Sequence, residues 1–126
     1  MSFRITEEYC RLAQELEAAG YYWSPRAGDW MLDRDDGSIG MLTTEVRDQA
    51  YIRRLNTHLP TYVQTEALLK EAGVVTERND GEVAFSRGGT RLITFARSNY
   101  DADHGTCLLR ALGVAVRAAN VSERSG

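Results

Sequence analysis

The densest group of side chains that could do chemistry lies near the C-terminal end of the sequence. It contains Asp101, Asp103, His104 and Cys107. His104 and Cys107 are three positions apart, so on a helix they share a face. The pair could be a thiol nucleophile activated by imidazole, or part of a zinc site, which needs about four ligands. The alternative is a helix N-terminus with capping carboxylates and a small buried cysteine. We therefore assign no catalytic residue, metal or cofactor to this group.

A second group combines aromatic rings with arginines. Its members are Tyr21, Tyr22, Trp23, Trp30, Arg26 and Arg34. In a strand, Tyr21 and Trp23 share one face and Tyr22 lies on the other, which places at least one large ring near solvent. Exposed rings beside guanidinium groups can grip a peptide or stack on bases. The alternative is that these rings are core and ordinary strand aromatics. If the protein has a binding site, we predict it on these six residues.

The composition limits the classes of protein to which this chain can belong. It has 126 residues, of which 43% are hydrophobic and 26% charged, values typical of one soluble globular domain spanning residues 1–126. The net charge of −3 provides no overall positive field, which argues against nucleic acid and an anionic membrane as partners. Arginines are numerous but spread along the chain rather than clustered.

The cellular setting is also constrained by the sequence. Cys10 and Cys107 lie in separate helical patterns, which implies no disulfide framework and a reducing compartment. The N-terminal residues lack the apolar core of a signal peptide, and the longest apolar runs are too short to span a bilayer. We expect a cytoplasmic protein without a membrane segment.

A unit that occurs twice must position these residues. It consists of a helix ending at a glycine, followed by a strand, a turn and a second strand. Residues 9–34 align with residues 62–87 at a shift of 53 positions without a gap, so that Gly20 falls on Gly73 and Arg34 on Arg87. The match is either a true duplication or the convergence of two similar units.

The first unit is predicted to have a helix that begins after Thr6 and ends at Gly20. Strands are then predicted at residues 21–24, around residues 30–32 and around residues 39–42, with a turn before and after the middle strand. A middle helix is predicted from about Glu45 to His58.

The second unit is predicted to begin with a helix entered at Pro60 and ending at Gly73. Strands are predicted from residue 74, around residues 83–85 and at residues 91–97. A last helix should follow from about His104 to Asn120, capped by Asp101 or Asp103 and packed on more than one side, with residues 121–126 as a flexible tail.

These elements predict an α+β fold in which an antiparallel sheet is packed by helices. The helix–three strands–helix order occurs twice, in halves of about residues 1–58 and 59–120. Because each half alone would expose an apolar sheet face, we expect the halves to share a sheet or to pack sheet to helix.

Residues 59–119 also resemble a known family. The features that carry the resemblance are the helix entry Leu59-Pro60-Thr61, the helix end at Gly73, a hairpin and strand, the acidic turn at Asp101 and Asp103, and a final helix containing Cys107-Leu108-Leu109-Arg110-Ala111-Leu112. This order is similar to the phage ABA sandwich proteins and related small phage or prophage proteins. The resemblance implies a three-layer α/β/α arrangement. That family has no established active site, so the resemblance implies no functional residue.

Three hypotheses on function follow from the sequence. The leading one is a non-catalytic interaction or accessory module of phage or prophage type, with a protein partner of unknown identity. The second is a nucleic-acid-binding protein that uses a sheet face, and the third is a small enzyme or metal-binding protein that uses His104 and Cys107. A homo-oligomer could form if edge strands at Tyr21–Ser24 pair across a two-fold axis.

Overall fold

The computed structural model describes residues 5–125 and the side chains of residues 5–119. Within that range the chain forms five helices and two three-stranded antiparallel sheets, which confirms the predicted α+β class. The helices are α1 (Glu7–Ala18), α2 (Gln49–Leu55), α3 (Tyr62–Glu71), α4 (Arg97–Ala102) and α5 (His104–Ser125). The strands are β1 (Trp30–Asp33), β2 (Ile39–Met41), β3 (Asn56–Leu59), β4 (Val75–Arg78), β5 (Glu82–Arg87) and β6 (Thr90–Ala96).

The first helix of each unit begins and ends as the sequence predicts. The Thr6 hydroxyl accepts a hydrogen bond from Tyr9 N, and Thr61 forms a reciprocal capping box with Gln64. Each helix is followed by a glycine with positive φ, 112° at Gly20 and 78° at Gly73. A residue with a Cβ atom rarely adopts this conformation, so the two glycines set the helix ends.

The second unit has the three strands that were predicted. They are arranged in the order β4-β5-β6 with antiparallel pairing throughout. The turn between β4 and β5 is held by the side chain of Asn79, which accepts hydrogen bonds from Gly81 N and Glu82 N. The central strand buries Val83 and Phe85. The helix α4, which directly follows β6, was not predicted.

The first unit has three strands, but one of them is formed by a different segment from the one predicted. Residues 21–26 are not part of a sheet, and the sheet order is β2-β1-β3. The predicted strand at Tyr21–Ser24 is therefore wrong, because side-chain bonds rather than a backbone ladder hold this segment and Pro25 has no N–H group. The homo-oligomer stays a prediction, but it cannot form through an edge strand at Tyr21–Ser24, because this segment is not a strand.

The middle helix is shorter than predicted, and the strand β3 replaces its end. The Asp48 side chain caps α2 by accepting from Tyr51 N, and the chain becomes extended at Asn56. All four residues of β3 are buried. A strand buried on both faces shows no alternation of apolar and polar residues, which is why the sequence pattern did not predict β3. The predicted boundary between the halves, at residues 58 and 59, falls inside this strand.

One hydrophobic core joins the two units, although each unit has its own sheet. It contains Leu16 of α1, Leu32 of β1, Leu59 of β3, Phe85 of β5 and Leu108 of α5, among others. The helix α5 packs against α1, α3 and β6, as its widely apolar sequence predicts. The Tyr9 hydroxyl also donates a hydrogen bond to Pro60 O, which ties α1 to the start of the second unit.

The last helix is longer than predicted and continues to Ser125. The side chains from Asn120 onward and Gly126 lie outside the described part of the chain, so the flexible tail at residues 121–126 stays a prediction. Among residues 5–125, no helix combines the length and the apolar content needed to cross a membrane.

Candidate binding site

The site is built where the unpaired segment of residues 21–26 lies against β3. The Trp23 ring is buried and stacks parallel to the His58 imidazole, with ring centroids 4.9 Å apart and an interplanar angle of 3°. The Tyr21 hydroxyl lies 2.9 Å from His58 Nδ1. Tyr22, in contrast, is 67% exposed. The predicted alternation of Tyr21 and Trp23 against Tyr22 is thus confirmed without the strand from which it was inferred.

The carboxylate of Asp29 holds this segment in place. Although Asp29 is buried, its Oδ2 accepts from Trp23 Nε1 at 3.0 Å and from Arg26 N at 3.1 Å. Its Oδ1 accepts from Gln64 Nε2 of α3 at 2.9 Å. Hydrogen bonds of this kind stabilise a buried charge that would otherwise be strongly unfavourable. Asp29 therefore connects the segment with the first helix of the second unit.

The imidazole of His58 is neutral at pH 7. Burial lowers the pKa of His58 to about 4, and the nearby charge of Arg26 lowers it further, although Asp29 and Gln64 favour the protonated ring. Burial and the negative charge of Asp29 raise the pKa of Tyr21 to about 12. In the described part of the chain, His58 Nε2 is buried and has no hydrogen-bond partner.

The exposed ring of Tyr22 is covered on one side by Arg53. The Arg53 guanidinium lies 4.5 Å from the centre of the ring, and its Nη1 donates to Trp23 O at 3.3 Å. The guanidinium of Arg34 is 2.6 Å from a Glu17 oxygen and donates to two backbone carbonyls at the C-terminal side of α2. Arg34 therefore has a structural role, whereas Arg53 presents a ring–guanidinium pair to solvent.

Two grooves flank the segment. The first, which we call the Arg53 groove, has a volume of about 330 Å³, and its lining includes Glu17, Tyr22, Arg34, Arg53, Thr57 and His58. The second, the Gln64 groove, has a volume of about 270 Å³, and its lining includes Tyr22, Trp23, Arg26, Asp29, His58 and Gln64. Thr57 Oγ1, like His58 Nε2, is buried without a hydrogen-bond partner among the described residues. An unpaired buried polar atom costs about 1–3 kcal/mol, so these two atoms lower the stability of this part of the fold.

The structure brings together five of the six predicted binding residues. Tyr21, Tyr22 and Trp23 line both grooves, Arg34 lines the first and Arg26 the second. Trp30 lines neither. It is placed on β1 opposite Met41 and Leu59, where it packs against the core.

The group around His104 and Cys107 has the features of a helix N-terminus. Asp103 caps α5 by accepting from Thr106 N and Thr106 Oγ1. Burial and the charge of Asp103 raise the pKa of Cys107 to about 11, which disfavours the thiolate needed by a nucleophile or a metal ligand. The His104 ring packs against Tyr62 and Tyr100. Within the described residues, no three His, Cys, Asp or Glu side chains are grouped closely enough to hold a metal ion.

Several residues that build the site are not among the six predicted binding residues. They are Asp29, Arg53, Thr57, His58 and Gln64. They come from α2, β3, α3 and the turn before β1, and only the fold brings them together. The one signal in the sequence was that Leu59 directly precedes Pro60, which favours extended backbone at Leu59.

Comparison of the chain with protein-family models, with curated proteins and with solved structures finds no match. The resemblance of residues 59–119 to the phage ABA sandwich proteins therefore stays a prediction.

Proposed function

We propose that this protein is a non-catalytic interaction module, of the phage or prophage accessory type that the resemblance implies. We further propose that it holds a protein partner through the Tyr22 surface, by which we mean Tyr22, Arg53 and the two grooves beside them. The observation that carries the proposal is the 67% exposed Tyr22 ring, which is held under a guanidinium between two grooves.

The surroundings of Tyr22 favour a protein as the partner. Tyrosine and arginine are enriched among the residues that dominate protein–protein binding energy. Most of the exposed large apolar side chains in the described part of the chain also belong to the first unit, namely Tyr22, Ile39, Met41, Tyr51 and Leu55. The Tyr22 ring is partly ordered before binding by its contact with Arg53, which lowers the entropy cost of association.

The protonation states support a module without catalysis. A general acid or base works best when its pKa lies near the operating pH. Here the pKa of His58 is lowered to about 4, that of Tyr21 is raised to about 12 and that of Cys107 is raised to about 11. The shifts move the pKa values of these groups away from pH 7 and keep the groups uncharged, as expected of buried structural groups.

Nucleic acid is the weaker candidate for the partner. The net charge is −3, and two of the arginines near the site are already engaged. Arg34 is paired with Glu17, and Arg53 donates to the backbone and lies on Tyr22. Phosphate recognition needs guanidinium groups that are free to face the ligand.

The chain offers a matched control for the test. Tyr51 is also exposed, and the Arg54 guanidinium lies 5.4 Å from its ring centre, but Tyr51 lines neither groove. Immobilised wild type, Tyr22→Ala, Arg53→Ala and Tyr51→Ala should be compared for retained partners, and the affinity of each partner then measured by calorimetry. We expect Tyr22→Ala to weaken binding by about 2 kcal/mol, roughly thirtyfold in Kd, and Tyr51→Ala to leave it unchanged.

Two results would contradict the proposal. The first is a partner that binds wild type and Tyr22→Ala equally well. The second is salt-sensitive binding of oligonucleotides by the purified protein, which would favour the nucleic-acid hypothesis instead.

A further inference from the structure

The strand β4 lies at the free edge of the second sheet. All four of its residues, Val75–Arg78, are exposed, and its other side pairs with β5. An edge strand with open backbone groups can be extended by an additional strand. Residues 21–26 do not cover β4, since they lie against β3 in the first unit.

The hydrogen-bond pattern shows which backbone groups of β4 are open. In an antiparallel pair, alternate residues bond to the neighbouring strand. Because Asn79 N donates to Glu82 O at 3.0 Å, residues 75, 77 and 79 bond toward β5. The N–H and C=O groups of Thr76 and Arg78 therefore point away from the sheet. Val74 N is already bonded to Leu69 O, so the open stretch begins at Thr76.

A cavity lies on each face of this edge. On the face of Thr76 and Arg78, a cavity of about 460 Å³ lies between α3 and the sheet. Its lining combines apolar side chains, among them Val63, Leu69, Val74 and Leu108, with the charged side chains of Glu66, Lys70 and Arg78. On the opposite face, a cavity of about 230 Å³ is lined by Val75, Glu77 and Arg91, among others. Successive side chains of an added strand point to alternate faces, so they would enter the two cavities in turn.

We propose that β4 binds an extended peptide segment of a partner protein as a fourth, antiparallel strand. The segment carries a basic residue opposite Glu77, with an apolar residue on either side of it. The two apolar side chains enter the cavity beneath Thr76 and Arg78. The basic side chain lies beside Glu77, which forms no ion pair within the described part of the chain. This surface is separate from the Tyr22 surface and does not depend on it.

A second copy of this chain fits the edge less well. Two antiparallel copies of β4 can use all the open groups of Thr76 and Arg78 only if Glu77 faces Glu77 of the other copy. Like charges directly opposite each other destabilise a strand pair. A register centred on Thr76 instead places Arg78 opposite Val74, whose N–H is already bonded.

Two labelled, capped pentapeptides test the proposal by fluorescence anisotropy. Both have threonine at each end and leucine at the second and fourth positions, but one has lysine and the other glutamate at the centre. We expect the lysine peptide to bind wild type at least about fivefold more tightly than the glutamate peptide. Glu77→Lys should reverse this preference.

Variants of the edge and of the other surface provide the controls. Thr76→Pro removes one outward N–H without removing a bond to β5, so it should abolish peptide binding while the circular dichroism spectrum stays native. Thr76→Ala keeps the N–H and should bind within about threefold of wild type. Tyr22→Ala should bind the peptide as wild type does, which separates this inference from the proposed function.

Three outcomes would overturn the inference. They are equal affinity for the two peptides, undiminished binding to folded Thr76→Pro, and no binding of either peptide at millimolar concentration. A concentration-dependent dimer that Thr76→Pro disrupts, without any peptide preference, would assign the edge to a second copy instead.

Discussion

Residues 22–25 and residues 75–78 hold equivalent positions in the two units, yet only the second segment is a strand. The cause lies in the central strands β1 and β5. At the equivalent positions Asp29 and Glu82, the backbone oxygens accept from Leu42 N and Asn79 N respectively. In the second unit, this side of the central strand β5 pairs with β4. In the first unit, the equivalent side of the central strand β1 pairs with β2 instead.

The hairpins that follow the two central strands thus turn to opposite sides. In the first unit, this leaves residues 22–25 without a backbone partner and leaves the other side of β1 to β3. The displaced segment is then fixed by side chains, through Trp23 and Asp29. Matching residues in the two units therefore fix the core positions, whereas the strand partners depend on the direction in which the next hairpin turns.

The largest expected difference between the two segments concerns Trp23 and its counterpart Thr76. Trp23 is buried, stacks on His58 and donates to Asp29, so Trp23→Ala should lower the free energy of unfolding by about 3–5 kcal/mol. Thr76 is exposed on β4, and Thr76→Ala should cost less than about 0.5 kcal/mol. Urea unfolding of both variants measures the difference. Similar losses in the two variants would show that the segments are equivalent after all.

Acid should destabilise the first unit through His58. The pKa of His58 is lowered from 6.5 to about 4 by burial, so between these values the unfolded chain binds more protons than the folded one. The free energy of unfolding should therefore fall as the pH drops from about 6.5 to about 4, by a loss on the order of 3 kcal/mol.

The variant His58→Phe isolates this contribution, because phenylalanine keeps a flat ring against Trp23 but does not titrate. As the pH drops from about 6.5 to about 4, we expect the free energy of unfolding of wild type to fall relative to that of His58→Phe. Parallel pH profiles for the two proteins would refute the assignment of this loss to His58.

The buried acid Asp29 should matter more than its exposed counterpart Glu82. Asp29→Ala leaves three donors without their acceptor, so we expect a loss of about 2–3 kcal/mol in the free energy of unfolding. Glu82 has a half-exposed side chain 3.9 Å from Arg91, and Glu82→Ala should cost about 0–1 kcal/mol. Denaturant unfolding of the two variants under identical conditions measures both losses. Equal losses for Glu82→Ala and Asp29→Ala would contradict the prediction that the buried acid contributes more.

The smallest effect is expected at the aligned arginines. Arg34 donates to two backbone carbonyls and pairs with Glu17, whereas Arg87 donates to Ala115 O. We expect Arg34→Ala to cost about 1–2 kcal/mol and Arg87→Ala about 0.5–1 kcal/mol. Thermal and urea unfolding should rank the two variants in this order. The reverse ranking would mean that the single bond of Arg87 supports more of the fold than the network of Arg34.

Much of the second unit could be predicted from its sequence because its signals are local. Asn79 and Gly81 mark the hairpin, Gly73 ends the helix, and the long strand β6 consists of β-forming residues. Each of these features depends on residues close together in the chain. The positions of the strands therefore followed from local pattern alone.

The strand β3 of the first unit could not be predicted, because the signals that define it are not local. The segment Asn56–Leu59 directly follows α2 and has no turn residue before it, so the sequence pattern predicts that the helix continues to His58. Its place in the sheet depends on pairing with β1, more than twenty residues earlier. Short-range patterns carry no information about such a partner.

The candidate site was predicted in part. The aromatic and arginine side chains were identified by their types. The alternation of Tyr22 with its neighbours predicted that at least one large ring lies near solvent, without showing which one. Which rings are buried depends on Asp29 and Gln64, which act through hydrogen bonds between distant elements. No property of the sequence around Asp29 distinguishes it from an ordinary turn residue.

The short connection between β3 and α3 has a consequence for how the chain could be divided. Only Pro60 and Thr61 join the two elements, and both are fixed, Pro60 by the Tyr9 hydroxyl and Thr61 by its capping box. A cut at this boundary would release groups that hold both units together. Residues 43–48 are a better place for a break, since they lie between β2 and α2 and are largely exposed. Fragments divided there would each carry one strand of the β1–β3 pair, so the protein should reassemble from two separately expressed pieces.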